Sequence, residues 1–252
     1  MKREKEIKQF VKDRYASIAS NEDSCCSCCN CNAGIVKQAK SIGYSEAEIR
    51  NIPDGAVMGL GCGNPTALAE LKAGETVLDL GSGGGVDVFL AAQKVGENGN
   101  VIGVDMTAEM LVKARVNAKV GSYKNVEFRT GEIENLPVED DSIDVVISNC
   151  VVNLSPDKLA TYKEVFRVLK PNGRVLISDI VTEGELPVDV RQSFDAWTEC
   201  IAGAMETQEY LNTITKAGFR DVTIVAKHPF CEHGTDDRLA GKIISIQVQA
   251  YK

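Results

Sequence analysis

Histidine, tryptophan and basic residues are scarce in this sequence of 252 residues. It contains two histidines and one tryptophan, and 36 Asp and Glu residues outnumber 28 Lys and Arg residues. The resulting net charge of −8 argues against a nucleic-acid partner, because nucleic-acid-binding proteins display clustered basic residues. The two histidines, His228 and His233, both come late in the chain, so chemistry that needs a histidine base has few candidates.

Long apolar runs are missing as well. No run approaches the ~18 residues that a membrane-spanning helix requires, and the charged N-terminus lacks the apolar segment of a signal peptide. We therefore expect a cytoplasmic protein without a membrane partner. In the reducing cytosol, the nine cysteines indicate metal, metalloid or redox chemistry rather than structural disulfides.

The middle of the chain alternates short apolar strands with helices. The predicted strands are Thr76–Leu80, Val101–Val104, Val126–Phe128, Ile143–Ser148 and Gly173–Ile180. Such alternation is typical of an α/β fold in which helices cover both faces of a parallel sheet. The flanking regions differ: the periodicity predicts helices at Lys2–Ile18, from Ser45, at Leu186–Ala204 and at Glu206–Ala217, and antiparallel strands at Val222–Val225 and Ile243–Ala250.

A glycine-rich turn follows the first predicted strand. It reads Asp79-Leu80-Gly81-Ser82-Gly83-Gly84-Gly85, which is not the G-x-G-x-x-G spacing of dinucleotide-binding proteins. Glycine lets the backbone turn tightly and approach a ligand. Asp105, at the end of the second strand, can accept hydrogen bonds from two ribose hydroxyls and would repel the 2′-phosphate of NADP. These residues alone leave NAD and S-adenosylmethionine as candidates.

Three later segments favour S-adenosylmethionine. They are the stretch Gly131–Pro137 after the third strand, Asn149 after the fourth, and the turn Leu169–Gly173 before the fifth. With the glycine turn, they resemble the class I methyltransferase family over Thr76 to Ile180. The resemblance implies a Rossmann-like sheet that binds S-adenosyl-L-methionine. The implied cofactor-binding residues are Asp79, Gly81, Ser82, Gly83, Gly85, Asp105, Met106, Glu132, Ile133 and Asn149.

Cysteines also stand near the predicted cofactor crevice. Cys150 comes one residue after Asn149, at the carboxyl end of a strand, where ligands of open α/β sheets bind. Cys62 precedes the first strand and Cys200 lies after the sheet region. Any one of them could simply be a small core residue. Three thiols that can cover one crevice make an acceptor site the better interpretation.

The motifs around these cysteines resemble the arsenite methyltransferase family over nearly the whole chain. They are Gly61-Cys62-Gly63-Asn64-Pro65, Val104-Asp105-Met106-Thr107, Gly131–Pro137, Ser148–Lys158 and Glu199-Cys200. The resemblance implies that Cys62, Cys150 and Cys200 hold As(III) and that methylated arsenic is the product. It also implies a thiol reductant of the thioredoxin or glutathione type. We expect the long C-terminal extension of some family members to be absent.

Elementary chemistry agrees with this resemblance. As(III) is soft, so it prefers thiolates, and three sulfur ligands leave a lone pair on arsenic. A lone pair aimed at the methyl group of the donor needs no general base, and alignment of the two reactants supplies most of the acceleration.

The run Cys25 to Cys31 leaves several interpretations open. The family resemblance implies that an N-terminal thiol takes part, and the candidates are Cys25, Cys26, Cys28, Cys29 and Cys31. A mobile thiol arm, a zinc site or an idle segment would each fit. Zinc is less favoured, because structural zinc usually draws on two separated cysteine pairs. Cys231, between His228 and His233, could complete a metal site or lie in a surface loop.

Two other functions are compatible with parts of the sequence. A class I methyltransferase could act on a small carbon or oxygen acceptor such as a quinone precursor, and a thiol-rich chain could sense metalloids or zinc without catalysis. We divide the chain into residues 1–70, an N-terminal helical and cysteine-rich segment, residues 71–181, the Rossmann-like cofactor domain, and residues 182–252, a small α+β acceptor-binding part. The oligomeric state has no signature in the sequence.

Overall fold

The computed structural model describes residues 2–20, 31–230, 237–239 and 241–252. Its centre is one mixed sheet with the strand order β3-β2-β1-β4-β5-β8-β7, and β6 pairs with the end of β5. The strands are β1 Thr76–Leu80, β2 Asn100–Asp105, β3 Val126–Thr130, β4 Ile143–Asn149, β5 Leu169–Thr182, β6 Met205–Glu206, β7 Arg220–Pro229 and β8 Ile243–Tyr251.

The first five strands are parallel, and β1 and β4 are neighbours at the centre. From β1 the chain progresses outward through β2 and β3, and from β4 it progresses the other way to β5. This change of direction opens a crevice at the carboxyl ends of β1 and β4, the usual ligand site of open α/β sheets. The predicted Rossmann-like fold with helices on both faces is confirmed.

Helices cover the two faces of the sheet. They are α1 Lys2–Ser20, α2 Cys31–Ser41, α3 Glu46–Arg50, α4 Pro65–Leu68, α5 Val86–Val95, α6 Ala108–Val120, α7 Lys158–Val168, α8 Val188–Gln192, α9 Phe194–Thr198 and α10 Thr207–Lys216. Residues of α5 and α6 form one buried core with the sheet, and residues of α7 and α10 form another on the opposite face. Alternating residues of β1 enter the two cores, Val77 on one face and Leu78 on the other, as strand geometry requires.

The C-terminal strands extend the same sheet. β8 pairs antiparallel with β5 from Thr182 to Arg174, and β7 pairs antiparallel with β8. Residues from 71–181 and from 182–252 therefore share one sheet, and the three-part division of the chain stays a prediction.

One predicted helix is wrong in its extent. In place of a continuous helix from Leu186 to Ala204, the structure has two short helices, α8 and α9, separated at Ser193. The Ser193 hydroxyl accepts a hydrogen bond from the backbone N–H of Ala196 at 3.2 Å. Serine is a favoured N-cap, so Ser193 ends one helix and begins another. The predicted capping box at Ser45 and Glu48 is present at the start of α3.

The first helix packs against α6 and α9 rather than projecting into solvent. Ile7 and Val11 of α1 are buried, and the ring of Phe10 lies 5.4 Å from that of Phe194 in α9. In the part of the chain described here, no helix is long and apolar enough to cross a membrane.

Candidate active site

A cavity lies at the carboxyl ends of β1, β2 and β4, beneath α1. It encloses about 1280 Å³ of space, part of it open to solvent, which is ample for a cofactor-sized ligand. Eight of the ten predicted cofactor residues line it: Asp79, Gly81, Ser82, Gly83, Asp105, Met106, Ile133 and Asn149. Gly85 and Glu132 are outside this lining.

The glycine turn after β1 leaves room for a ligand. Gly81 and Gly83 have φ angles of 64° and 49°, a region that side chains disfavour. A Cβ atom on Gly81 would lie 2.5 Å from a methyl carbon of Val151, so a larger residue would push Val151. The buried hydroxyl of Ser82 has no hydrogen-bond partner within the described structure, and Ser82 lines the cavity. The turn therefore allows a ligand to approach its backbone closely, and the Ser82 hydroxyl still has an unused hydrogen-bonding capacity.

Asp105 is held in place at the end of β2. Its carboxylate accepts hydrogen bonds from the backbone N–H of Gly83 at 2.9 Å and of Thr107 at 2.8 Å. Burial raises the pKa of Asp105 above its ordinary value. The carboxylate thus joins the glycine turn to the start of α6. It also faces the cavity, where it can accept hydrogen bonds from ribose hydroxyls.

Two further carboxyl groups line the cavity at Asp79 and Asp87. Burial raises the pKa of Asp79 well above its usual range, and the charges of Asp87 and Asp105 add to the shift. Burial likewise raises the pKa of Asp87 to about 6, and the Tyr44 hydroxyl donates a hydrogen bond to it at 2.8 Å. Buried carboxyl groups that repel one another are stabilised by a cationic ligand.

The cavity fits S-adenosylmethionine on these grounds. The glycine turn would lie along the ligand, the Asp105 carboxylate would accept the ribose hydroxyls, and Asp79 and Asp87 would face its positive charges. Neither Asp87 nor Tyr44 was predicted. A carboxylate in the first turn of α5, directly before the apolar run from Val88 to Ala92, is a signal for Asp87, whereas nothing in the sequence brings Tyr44 to this site.

Glu132 and Ile133 were both predicted to lie at the adenine end of the cofactor, but the structure gives them different surroundings. Ile133 lines the cavity, whereas the Glu132 carboxylate accepts a hydrogen bond from the Lys8 ammonium at 2.6 Å. Lys8 also donates to Glu134 at 2.9 Å. Glu132 therefore fastens α1 in this state. Gly85 begins α5 with a φ angle of 98°, and a Cβ atom there would lie 2.6 Å from the ring of Phe89.

Asn149 connects the cofactor cavity to the first cysteine. Its side-chain oxygen accepts hydrogen bonds from the backbone N–H groups of Cys62 and Gly63 at 3.0 and 3.2 Å. Its NH₂ group donates to the carbonyl of Gly63 at 2.7 Å and to the Tyr44 hydroxyl at 2.9 Å. Asn149 lines the cavity as predicted, and it also fixes the turn that carries Cys62.

The structure brings Cys62, Cys150 and Cys200 together. All three are buried in one small cluster with apolar residues such as Ile180 and Ile201. The Cys200 thiol donates to the carbonyl of Cys150 at 3.2 Å, and the thiols of Cys62 and Cys200 lie near enough to raise the pKa of Cys150. Cys150 in addition lines the cofactor cavity. Three segments far apart in sequence thus place their sulfur atoms beside the predicted donor.

Cys150 and Cys200 have unusual backbones, with φ angles of 62° and 61°. This left-handed region costs a residue other than glycine roughly 1–2 kcal/mol. Such strain concentrates at functional sites, where the surroundings impose it. The strain at these two cysteines supports a functional interpretation of their positions.

The surroundings of Cys62 and Cys150 favour the protonated thiol. Contacts with the Cys200 and Cys62 thiols, followed by burial, raise the pKa of Cys150 well above its ordinary value. Burial is the main cause of the raised pKa of Cys62. Within the described residues, no group of three or more His, Cys, Asp or Glu side chains is arranged to hold a metal ion. The three thiols are therefore not arranged around one atom in this structure, and their side chains must turn to share one.

Two polar residues that were not predicted support the turn at Cys200. The Asn153 side chain donates to the carbonyls of Ile180 at 2.5 Å and Cys200 at 3.3 Å. The buried Lys158 ammonium donates to the carbonyls of Asn153 at 3.2 Å and Ser155 at 3.0 Å. Burial lowers the pKa of Lys158 to about 8. These contacts hold the segment after Cys150 against the segment around Cys200.

The other predicted thiols cannot be placed. Cys25, Cys26, Cys28, Cys29 and Cys231 lie outside the described residues, as does His233, and Cys31 is described only as the first backbone position of α2. The roles proposed for them stay predictions.

Comparisons with known proteins agree with this site. Residues 71–218 match the family model described as a methyltransferase domain. The chain is 45% identical to the arsenite methyltransferase of Halobacterium salinarum over 98% of this chain and 67% of that protein. It is 40% identical to the arsenite methyltransferase of Aquipseudomonas alcaligenes over 73% of this chain and 54% of that protein. The chain thus spans about half to two thirds of the length of these relatives.

A solved structure is similar as well. The X-ray structure of an arsenic(III) S-adenosylmethionine methyltransferase from Chlamydomonas reinhardtii has a TM-score of 0.70 and 36% identity, over 85% of this chain and 73% of that one. Fold, cofactor cavity and relatives lead to one conclusion: this chain belongs to the arsenite methyltransferase family of S-adenosylmethionine-dependent methyltransferases.

Proposed function

We propose that this protein methylates trivalent arsenic bound by Cys62, Cys150 and Cys200. The observation that carries the proposal is Cys150, which lines the cofactor cavity and packs in one buried cluster with Cys62 and Cys200. A soft acceptor bound there would lie next to the methyl donor.

Protonated thiols suffice for binding arsenite. Each As–S bond forms as an As–O bond breaks, and the thiol proton leaves with the oxygen as water. Three such exchanges release three water molecules and leave the arsenic lone pair free. The raised pKa values of Cys62 and Cys150 are therefore no obstacle, and no general base is needed.

The residues around the cavity then align the two reactants. When bound, S-adenosylmethionine supplies a methyl group on a positively charged sulfur, and its transfer to the arsenic lone pair leaves a neutral thioether. Asn149 fixes the backbone of Cys62, and Asn153 fixes the backbone of Cys200, which supports a defined position of both residues in the cluster with Cys150. Alignment of this kind contributes ~7–11 kcal/mol to a reaction between two bound partners.

A reductant has to restore trivalent arsenic. Arsenic contributes both electrons of the new As–C bond, so the methylated product is pentavalent. Two thiols can return two electrons by forming a disulfide, and a thiol reductant of the thioredoxin or glutathione type then reduces that disulfide. We infer a cytoplasmic location from the same requirement, because the site needs free thiols.

The test is conversion of arsenite in the presence of S-adenosylmethionine and a thiol reductant. Methylated arsenicals should form, and Cys150→Ser should abolish their formation while calorimetry shows unchanged cofactor binding. Unchanged cofactor binding is the control for the fold of the variant. Full activity of Cys150→Ser would refute the proposal.

The quinone-type alternative has a separate signature. A carbon or oxygen acceptor has no use for three thiols, so turnover would be indifferent to Cys62→Ser and Cys200→Ser. Loss of activity in both variants, with intact cofactor binding, would exclude it.

A further inference from the structure

One face of α1 forms part of the cavity wall. Lys8, Val11 and Tyr15 line the cavity, and their spacing of three and four residues places them on one side of the helix. Lys8 is bound to Glu132 and Glu134 in the segment after β3. The helix therefore runs from the predicted adenine end of the cavity toward the buried cluster of Cys62, Cys150 and Cys200.

Tyr15 lies where the cavity meets the cysteine cluster. Its hydroxyl is directed to the backbone carbonyl of Thr198 at 3.5 Å, and Thr198 precedes Cys200 by two residues. That distance is longer than a normal hydroxyl hydrogen bond of ~2.8 Å. Tyr15 thus lines the cavity while its hydroxyl is directed away to the last residue of α9.

The electrostatic surroundings of Tyr15 agree with this position. Burial raises its pKa well above the usual value, and Cys200, Cys150 and Asp105 add to the shift when they are ionised. These three residues belong to the acceptor cluster and to the cofactor cavity. Tyr15 is thus close to both halves of the site.

We propose that the ring of Tyr15 is a specificity-determining wall that favours the positively charged methyl donor over the neutral thioether left after transfer. An aromatic face attracts a cation near it, most strongly where water is excluded. The donor and its product differ by one methyl group and one positive charge, so a ring beside the reacting sulfur distinguishes them and assists product release. This inference rests on the proposed function in one respect: it assumes that the acceptor binds at the end of the cavity next to Cys150.

The test compares binding of S-adenosylmethionine and S-adenosylhomocysteine by calorimetry, without arsenic. Tyr15→Leu removes the ring at similar bulk, and we expect the preference for S-adenosylmethionine to fall about 3- to 30-fold. Tyr15→Phe keeps the ring and should keep the preference within about threefold. Equal weakening of both ligands in Tyr15→Leu, or a loss in Tyr15→Phe as large as in Tyr15→Leu, would overturn the proposal.

Phe10→Leu is the matched control. Phe10 is on the same helix, but its ring packs on Phe194 and it is absent from the cavity lining. A general loosening of α1 should weaken both ligands alike in this variant. Because arsenic plays no part in these measurements, failure of the inference leaves the arsenic-binding role of the cysteines to its own test.

Discussion

The side chain of Asn149 accepts a hydrogen bond from the backbone N–H of Cys62 at 3.0 Å, across 87 positions of sequence. Asn149 immediately precedes Cys150, so one strand end carries a thiol and also fixes the turn that carries a second thiol. The same amide group is bonded to Tyr44, which donates to Asp87 in the cofactor cavity. The cofactor cavity and the turn that carries Cys62 are therefore joined through a single side chain.

Removal of the Asn149 side chain should disturb the position of Cys62 relative to Cys150. Asn149→Ala leaves the N–H groups of Cys62 and Gly63 without their partner, which costs ~1–3 kcal/mol of stability for buried groups. We expect the rate of arsenite methylation to fall at least ~10-fold, since one tenfold step corresponds to ~1.4 kcal/mol in the barrier. Single-turnover kinetics and urea unfolding measure the two effects.

Asn125→Ala is the control for that variant. The Asn125 side chain also ties down backbone, through the carbonyls of Ala92 and Gly96 at 3.0 Å each, but it is absent from the cavity lining. It should lose stability and keep its rate. If both variants lost activity in proportion to stability, Asn149 would have no special role in the site.

The glycine turn offers a sharper comparison. Gly81→Ala and Gly74→Ala both place a side chain at positive φ, 64° and 85°, and each should cost ~1–2 kcal/mol from backbone strain. At Gly74 nothing lies within 4 Å of the added carbon, whereas at Gly81 it meets Val151 at 2.5 Å. Only Gly81→Ala should therefore lose binding of S-adenosylmethionine by calorimetry. Equal binding in both variants would mean that the turn does not contact the cofactor.

The sequence predicted those parts of the site that follow local patterns. The buried parallel strands appear as apolar runs, and the residues at their carboxyl ends meet because parallel strands end at one edge. Gly81, Asp105, Asn149 and Cys150 are all of this kind, and the structure places each of them at the cavity.

Residues brought in by packing alone were beyond prediction from sequence. Tyr44 reaches Asp87 across 43 positions, and Lys158 is buried with only backbone carbonyls as hydrogen-bond partners in the described structure. Neither contact has a sequence signature. The helix break at Ser193 did have one, a serine that can cap the following turn, but the apolar periodicity on both sides concealed it.

Backbone strain at Cys200 yields a third prediction. With φ at 61°, Cys200→Gly should be more stable in urea unfolding than Cys200→Ala by ~1 kcal/mol, because glycine adopts this region without strain. Both variants should be inactive, since neither supplies a thiol. A glycine variant that is less stable than the alanine variant would show that the surroundings of Cys200 do not impose the left-handed backbone.

Cofactor affinity should rise with pH between about 5 and 7. Burial raises the pKa of Asp87 from 3.8 to about 6, so this cavity carboxyl group is mostly protonated at pH 5 and mostly ionised at pH 7. A cationic ligand prefers the ionised form, so binding releases a proton and becomes tighter as pH increases. For one such group the gain is about tenfold over these two pH units. Calorimetry in buffers of different ionisation enthalpy measures both the affinity and the released proton.

Asp87→Asn should flatten the pH dependence of cofactor affinity between about pH 5 and 7, because the group that ionises there is removed. Asp79 and Asp105 remain in the cavity, and burial keeps the pKa of both above the ordinary value in this variant. Asp179→Asn is the control, because burial raises the pKa of Asp179 to about 7 but this residue does not line the cavity. If Asp179→Asn shifted the pH profile and Asp87→Asn left it unchanged, the titrating group would be Asp179 and not Asp87. That result would contradict the prediction. The expected opposite result would mean that the cavity carboxyl groups recognise the positive charge of the methyl donor.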